Sequence, residues 1–355
     1  MSKKMELYAL ASLAVGLCVG CEKDYYARRI IEHDAGGGRL LLNLVGSDEK
    51  LIRQKRIDLS RRVTMSDGTV IDVWVIKAKV PKEQAAVGGT ALLLHGLGES
   101  KARYLGAGQR LAKKGYDVVL PDLRAHGRSG GKYVTFGGKE KEDVKAVMDA
   151  LISEGVVSKQ VYAFGVTLGA ATAIQYAAID PRCKGVLALT PYQDAPSAGR
   201  QMLVLIRPDM TNLEFEDVLN RAGELCKYNL HHASSEVAAT TTTCPILLVH
   251  GVLDMSVPVL SSEAIYDAAR GPRKLILVTP GPEQMALALV LEQWIADKLD
   301  YVARTGRNNW IETAKPPATP AAKPPATQPA TQPATQPATT TAPATPPAGG
   351  DKGKN

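Results

Sequence analysis

The sequence predicts an α/β protein: a mostly parallel central sheet with helices on both faces and a helical insertion after the sixth strand. Three observations predict it. Short apolar runs alternate with helical patterns from Thr90 to Tyr301, which is how a parallel sheet with helical crossovers reads. The run Val161–Val166 turns between Gly165 and Gly169 into an Ala-rich stretch beginning at Leu168, a strand–turn–helix elbow. Glycine-bearing loops follow three further runs, at His95–Gly98, Asp122–Ser129 and His250–Asp254.

From Leu51 to Val80 the chain alternates apolar and polar residues around the turn signal Ser66-Asp67-Gly68-Thr69, which predicts an antiparallel hairpin at a sheet edge. Strands are then predicted at Thr90–His95, Tyr116–Pro121, Val161–Val166, Cys183–Thr190, Pro245–His250 and Arg273–Val278. Helices are predicted at Tyr104–Lys114, Glu140–Glu154, Leu168–Ile179, Ser261–Arg270 and Met285–Tyr301. The interruption from Tyr192 to Thr243 holds helix candidates at Gln201–Ile206 and Leu213–Leu225. It is too long for a simple connection, so a lid of about residues 192–243 is expected. Gly36–Gly38 lacks the strand–helix context of a phosphate loop and is expected to be a flexible turn. The domain plan is a leader at 1–20, an N-terminal segment at 21–60, the α/β domain at 61–304 and a tail at 305–355.

With 45% hydrophobic and 22% charged residues the chain has apolar mass for a real core. The net charge of +7 does not imply nucleic acid, because it is concentrated at the ends. Residues 1–20 carry +1 and residues 315–355 carry +3, which leaves +3 for everything between. Basic ends on a near-balanced body suit an anionic membrane or wall surface. The tail repeats TQPA at Thr327–Ala330, Thr331–Ala334 and Thr335–Ala338 among Pro, Ala and Thr. It offers no large apolar residues to bury, so a disordered arm that reaches the cell wall is expected.

Lys3 and Lys4 precede a mostly apolar stretch, Leu7 to Gly20, too short to span a bilayer comfortably. It ends Cys18-Val19-Gly20-Cys21, which resembles a bacterial lipobox with leucine replaced by Cys18. The resemblance implies a signal peptide at 1–20, lipidation of Cys21, and a membrane held through that lipid. Glu22 next to the cysteine implies the outer membrane where a cell has one, with the protein on the periplasmic face of the envelope. Cys183, Cys226 and Cys244 remain after processing, and an odd count permits one disulfide and one free thiol. Cys183 and Cys244 each open an apolar run and read as small buried hydrophobes. No spacing suggests a metal site, and no cofactor is implied.

Leu92-Leu93-Leu94-His95-Gly96-Leu97-Gly98, Asp122-Leu123-Arg124-Ala125-His126-Gly127-Arg128-Ser129, Gly165-Val166-Thr167-Leu168-Gly169 and Val249-His250-Gly251-Val252-Leu253-Asp254 follow in this order. Together they resemble the α/β-hydrolase superfamily, most closely its serine aminopeptidase and monoglyceride-lipase-like branch, over about residues 65–300. The resemblance implies an α/β-hydrolase fold. It places the nucleophile at Thr167, the acid at Asp254, and the oxyanion hole at the backbone N–H groups of Leu97 and Leu168. The family's histidine would lie in a P-G-x-x-H stretch after the last strand. Here that stretch reads Pro280-Gly281-Pro282-Glu283-Gln284, so Gln284 stands at the base position.

Both substitutions weaken the chemistry. A glutamine amide cannot accept the nucleophile's proton near neutrality, and a hydroxyl without a base is a poor nucleophile. The elbow also demands positive φ, where a β-branched residue is an outlier, so the turn is expected to have partly relaxed. His95, His126 and His250 belong to motifs in which the family uses histidine structurally, and His33 lies outside the fold. His231 and His232 lie in the lid. The favoured expectation is an envelope lipoprotein with a degenerate triad that binds a small apolar or ester-like ligand under its lid. One alternative is a working hydrolase of esters or short peptides with an atypical triad. The other is a structural envelope protein tethered by its tail.

Overall fold

The computed structural model describes residues 21–33, 36–80, 88–279 and 296–304. Gln284, the leader 1–20, most of the expected Met285–Tyr301 helix and the tail 305–355 lie outside them. Among the described residues the strands are β1 Leu59–Thr64, β2 Val70–Ile76, β3 Thr90–Leu94, β4 Asp117–Pro121, β5 Val161–Val166, β6 Cys183–Leu189, β7 Ile246–Gly251 and β8 Arg273–Val278. They form one sheet in the order β1-β2-β4-β3-β5-β6-β7-β8. β2 runs antiparallel to β1 and β4, and the remaining neighbours are parallel.

Side chains alternate across each strand, so the sheet feeds two cores. Leu92, Leu94, Val73, Val75, Ala163, Val186 and Leu248 face one, and Ala91, Leu93, Trp74, Phe164, Leu187 and Leu247 face the other. The first core is covered by α5 (Glu140–Ser153), α6 (Leu168–Ile179) and α10 (Leu260–Ala268). The second is covered by α4 (Leu105–Lys113) and by α11, the helical residues 296–304. α6 buries every residue from Leu168 to Ala177, as a helix does at the centre of a three-layer fold.

The insertion between β6 and β7 is helical. Its elements are α7 (Ala195–Val204), α8 (Asn212–Cys226), a 3₁₀ turn at Leu230–His232 and α9 (Ser235–Ala239). Both long helices begin with a capping box, Asp194 with Ser197 and Thr211 with Glu214. Each box satisfies backbone N–H groups that the first turn would leave open. Glu214, Glu216 and Asp217 lie on the exposed face of α8.

The chain before the hairpin differs from its sequence expectation. Residues 21–31 form a helix, α1, whose Ala27, Ile30 and Ile31 are buried in the first core. The glycine run is not a flexible turn: it opens α2 (Gly36–Val45). Gly38 N–H donates to Gly98 O at 3.2 Å, and Ser100 Oγ donates to Gly38 O at 2.9 Å, docking the helix end on the loop after β3. Leu51 belongs to α3 (Asp48–Arg53), which Ser47 caps by accepting from Lys50 N–H at 3.3 Å, and not to a strand. His33 packs on the body, hydrogen-bonded to Ile30 O at 2.9 Å, and is not outside the fold.

Candidate active site

β5 lies between β3 and β6, and its last residue leads directly into Thr167 and α6. Thr167 has φ 45° and ψ −105°, so the elbow keeps its sharp form and the expected relaxation has not occurred. The reason is positional. Thr167 N–H donates to Leu189 O at 2.9 Å, Ala171 N–H donates to Thr167 O at 2.9 Å, and both flanking elements are buried. A side chain at Gly165 would collide with the backbone of Gly169, and one at Gly169 with the carbonyls of Leu94 and His95. Relaxing the turn would require moving the centre of the sheet, so about 1–3 kcal/mol of strain stays at the threonine.

Leu97 N–H points at the Thr167 hydroxyl, donating to Oγ1 at 3.4 Å. Leu168 is the first residue of α6, so its N–H is one of the four that an α-helix leaves open. The structure therefore brings Thr167, Leu168 and Leu97 together. Asp254 follows β7, two strands from β5, on the order of 10 Å across the sheet. Its Oδ1 accepts from Ser256 N–H at 2.8 Å and Val257 N–H at 3.0 Å, which fixes the carboxylate in its own loop. Tyr192, at the start of the lid, lies near it: burial first and the Asp254 charge second push the phenol up to about 12. Gln284 lies outside the described residues.

All six histidines of the chain are described, and each has another engagement. His95 Nδ1 donates to Gly96 O at 2.8 Å and its Nε2 accepts from Leu123 N–H at 2.9 Å. His126 Nδ1 donates to Arg124 O at 2.9 Å and its Nε2 accepts from Gly98 N–H at 3.0 Å. Each of these rings can serve both partners only as the neutral tautomer. Burial, the largest cause in both cases, holds their pKa values below the ordinary range. His250 donates from Nε2 to Val257 O at 2.8 Å and accepts the Ser262 hydroxyl at Nδ1 at 2.7 Å. His33 caps Ile30 O. In the lid, His231 pairs with Glu216 at 3.2 Å and His232 sits beside Asn229 at 3.5 Å, both on the exposed surface.

Sequence reasoning missed the residues that hold the loop after β3. Glu99 Oε2 accepts from Gly96 N–H at 2.9 Å and from the Tyr104 hydroxyl at 3.0 Å. Lys101 is 0% exposed and its ammonium pairs with Asp122 at 2.5 Å and with Asp72. Lys101 N–H also donates to Asp122 Oδ1 at 2.8 Å. This buried triad ties the loop after β3 to β2 and to the loop after β4. The only local signal was the clustering of Glu99, Lys101 and Asp122 at strand ends, where charged residues usually read as solvent-facing.

A family model described as serine aminopeptidase, S33, matches residues 85–222. The match includes the elbow and ends within α8, before Asp254 and Gln284. The uncharacterized protein YqkD of Bacillus subtilis is 27% identical over 205 residues, covering 56% of this chain and 65% of that protein. The monoacylglycerol lipase of Mycolicibacterium smegmatis is 24% identical over 250 residues, covering 59% of this chain and 89% of the lipase. In three dimensions the esterase Pf2001 of Pyrococcus furiosus superposes with a TM-score of 0.53 at 22% identity, over 71% of this chain and 95% of the esterase. With the 1-2-4-3-5-6-7-8 strand order and a sharp elbow at the end of β5, these likenesses show that the chain has the α/β-hydrolase fold.

Proposed function

We propose that this protein is an envelope lipoprotein, anchored through Cys21, whose α/β-hydrolase body binds a small apolar or ester-like ligand without turning it over. One observation carries the reading. The Thr167 hydroxyl accepts from the oxyanion-hole donor Leu97 N–H, while every histidine in the chain is engaged elsewhere. A general base must reach the nucleophile's proton. The remaining position, Gln284, offers an amide that cannot take it. The hydroxyl also occupies one of the donors that would hold a developing oxyanion.

A second reading has its own support. The elbow retains its strained backbone at Thr167, and strain of this kind collects at working sites. Two of the similar proteins are named as a lipase and an esterase. On that reading the protein is an ester hydrolase with an unorthodox triad.

Labelling by a fluorophosphonate probe, together with hydrolysis of short aryl esters, separates the two. The purified protein should be unlabelled and should not exceed a Thr167→Ala control. Turnover by the wild type that disappears in the alanine variant would overturn the non-catalytic reading.

A further inference from the structure

At the opposite end of the sheet from Thr167, two thiols meet. Cys183 opens β6, and Cys244 lies two residues before β7. These strands are parallel neighbours, with Val186 opposite Ile246 and Val186 N–H donating to Pro245 O at 2.8 Å. The pairing carries Cys183 alongside Cys244, close enough for each thiol to shift the other's ionisation. Both line one cavity of about 540 Å³, with Lys184 and Thr242 on its wall. Cys183 is buried, whereas Cys244 is partly open. The Thr242 hydroxyl lies 3.4 Å from Cys244 Sγ.

The two thiols are electrostatically unequal. The neighbouring Cys244 thiol, then burial, pushes Cys183 well above the ordinary thiol range. The Cys183 thiol in turn draws Cys244 below it against the effect of burial, helped by Thr242 and the Lys184 charge. An attacking thiol needs thiolate character and access; of the two, Cys244 is the more open and the one whose pKa is drawn down.

We propose that Cys183 and Cys244 are a redox-active dithiol, closing to a disulfide by exchange with a low-molecular-weight or protein-borne disulfide. The Cys244 thiolate attacks one donor sulfur, forming a mixed disulfide and releasing one donor thiol. Cys183 then attacks Cys244 Sγ and expels the second donor thiol. The two cysteine protons end on the two released thiols, and two electrons pass to the donor. The bond joins the start of β6 to the segment that returns from the lid to β7, so β6, α7, α8 and α9 lie inside one covalent loop. Closing so long a loop restricts the unfolded chain. The inference is independent of whether Thr167 is catalytic.

The test uses the full chain equilibrated in glutathione buffers from reducing to oxidising, quenched by alkylation and mapped by mass spectrometry without reduction. A peptide linking Cys183 to Cys244 should accumulate toward the oxidising end, while Cys226 stays open to alkylation. The thermal midpoint should rise by roughly 5 °C or more. Cys226→Ser should keep both effects, and Cys183→Ser and Cys244→Ser should lose both. The wild-type map decides the matter even where a variant fails to fold. Thiols that stay alkylatable at the oxidising limit, a glutathione adduct on Cys244 that never closes, or a bond through Cys226 would each overturn the proposal.

Discussion

Thr167 carries a methyl group into a backbone conformation that β-branched residues avoid, and the sheet around it does not yield. The backbone parts of the site, Leu97 and Leu168, depend on the fold and not on side-chain identity. It follows that Thr167→Ser combined with Gln284→His should give detectable esterase activity, and each single change should give little. A triad works as a unit, and losing the nucleophile or base alone costs about as much as losing all of it, roughly 10⁶-fold. A folded double variant without any gain, assayed beside both singles, would show that more than these two positions has changed. At this scale the sequence was legible where motifs are contiguous. Thr167, Leu168, Leu97 and Asp254 could each be placed from a strand end and its following turn. Glu99, Lys101 and Asp122 could not, because their roles depend on partners brought together from β2, β3 and β4.

Strands β3 to β8 and helices α4, α5, α6, α8 and α10 fall within a few residues of their sequence expectation, because alternating periodicity and turn residues are local signals; α7 begins earlier than the expected Gln201, and α9 was not expected. The chain before β1 was not read as helical. A glycine run has poor helix propensity, and α2 forms because tertiary contacts with Gly98 and Ser100 override it. α1 likewise exists to bury Ala27, Ile30 and Ile31, and a segment read alone gives no hint of what will cover it. His33, at the end of α1, supplies a test of that packing. Burial, the largest cause, lowers its pKa from 6.5 to about 4. Between those values the unfolded chain binds a proton that the folded chain does not. The contribution is therefore complete above pH 6.5 and is lost as pH falls toward 4, by up to about 3 kcal/mol. His33→Asn should flatten the fall in stability between pH 7 and 4.5, measured by urea unfolding at each pH. Parallel curves for the variant and the wild type would show that His33 titrates in the open.

For the molecule as a whole, residues 315–355 offer composition but no apolar mass. Ordering such a segment would cost entropy with nothing to offset it. Deleting them should move the thermal midpoint by no more than about 2 °C, a shift worth about 1 kcal/mol in a chain of this size. A loss of many degrees on calorimetry would show that the arm contributes to the folded body.

The far end of the chain behaves differently. Glu22 and Asp24 of α1 grip the lid through Arg207 at 2.6 Å and Arg221 at 2.5 Å, and Lys23 reaches Asp217 at 3.9 Å. Ile30 and Ile31 of the same helix are embedded in the core beneath. α1 is thus a lever with its fulcrum in the body and its free arm against α8. A load applied at residue 21 does not dissipate in a slack linker but is delivered, within one helical turn, to Arg207, Asp217 and Arg221 of the lid. Conversely, α8 cannot lift without dragging that arm or snapping its ionic grips, so whatever restrains the first described residues also sets the stiffness of the lid.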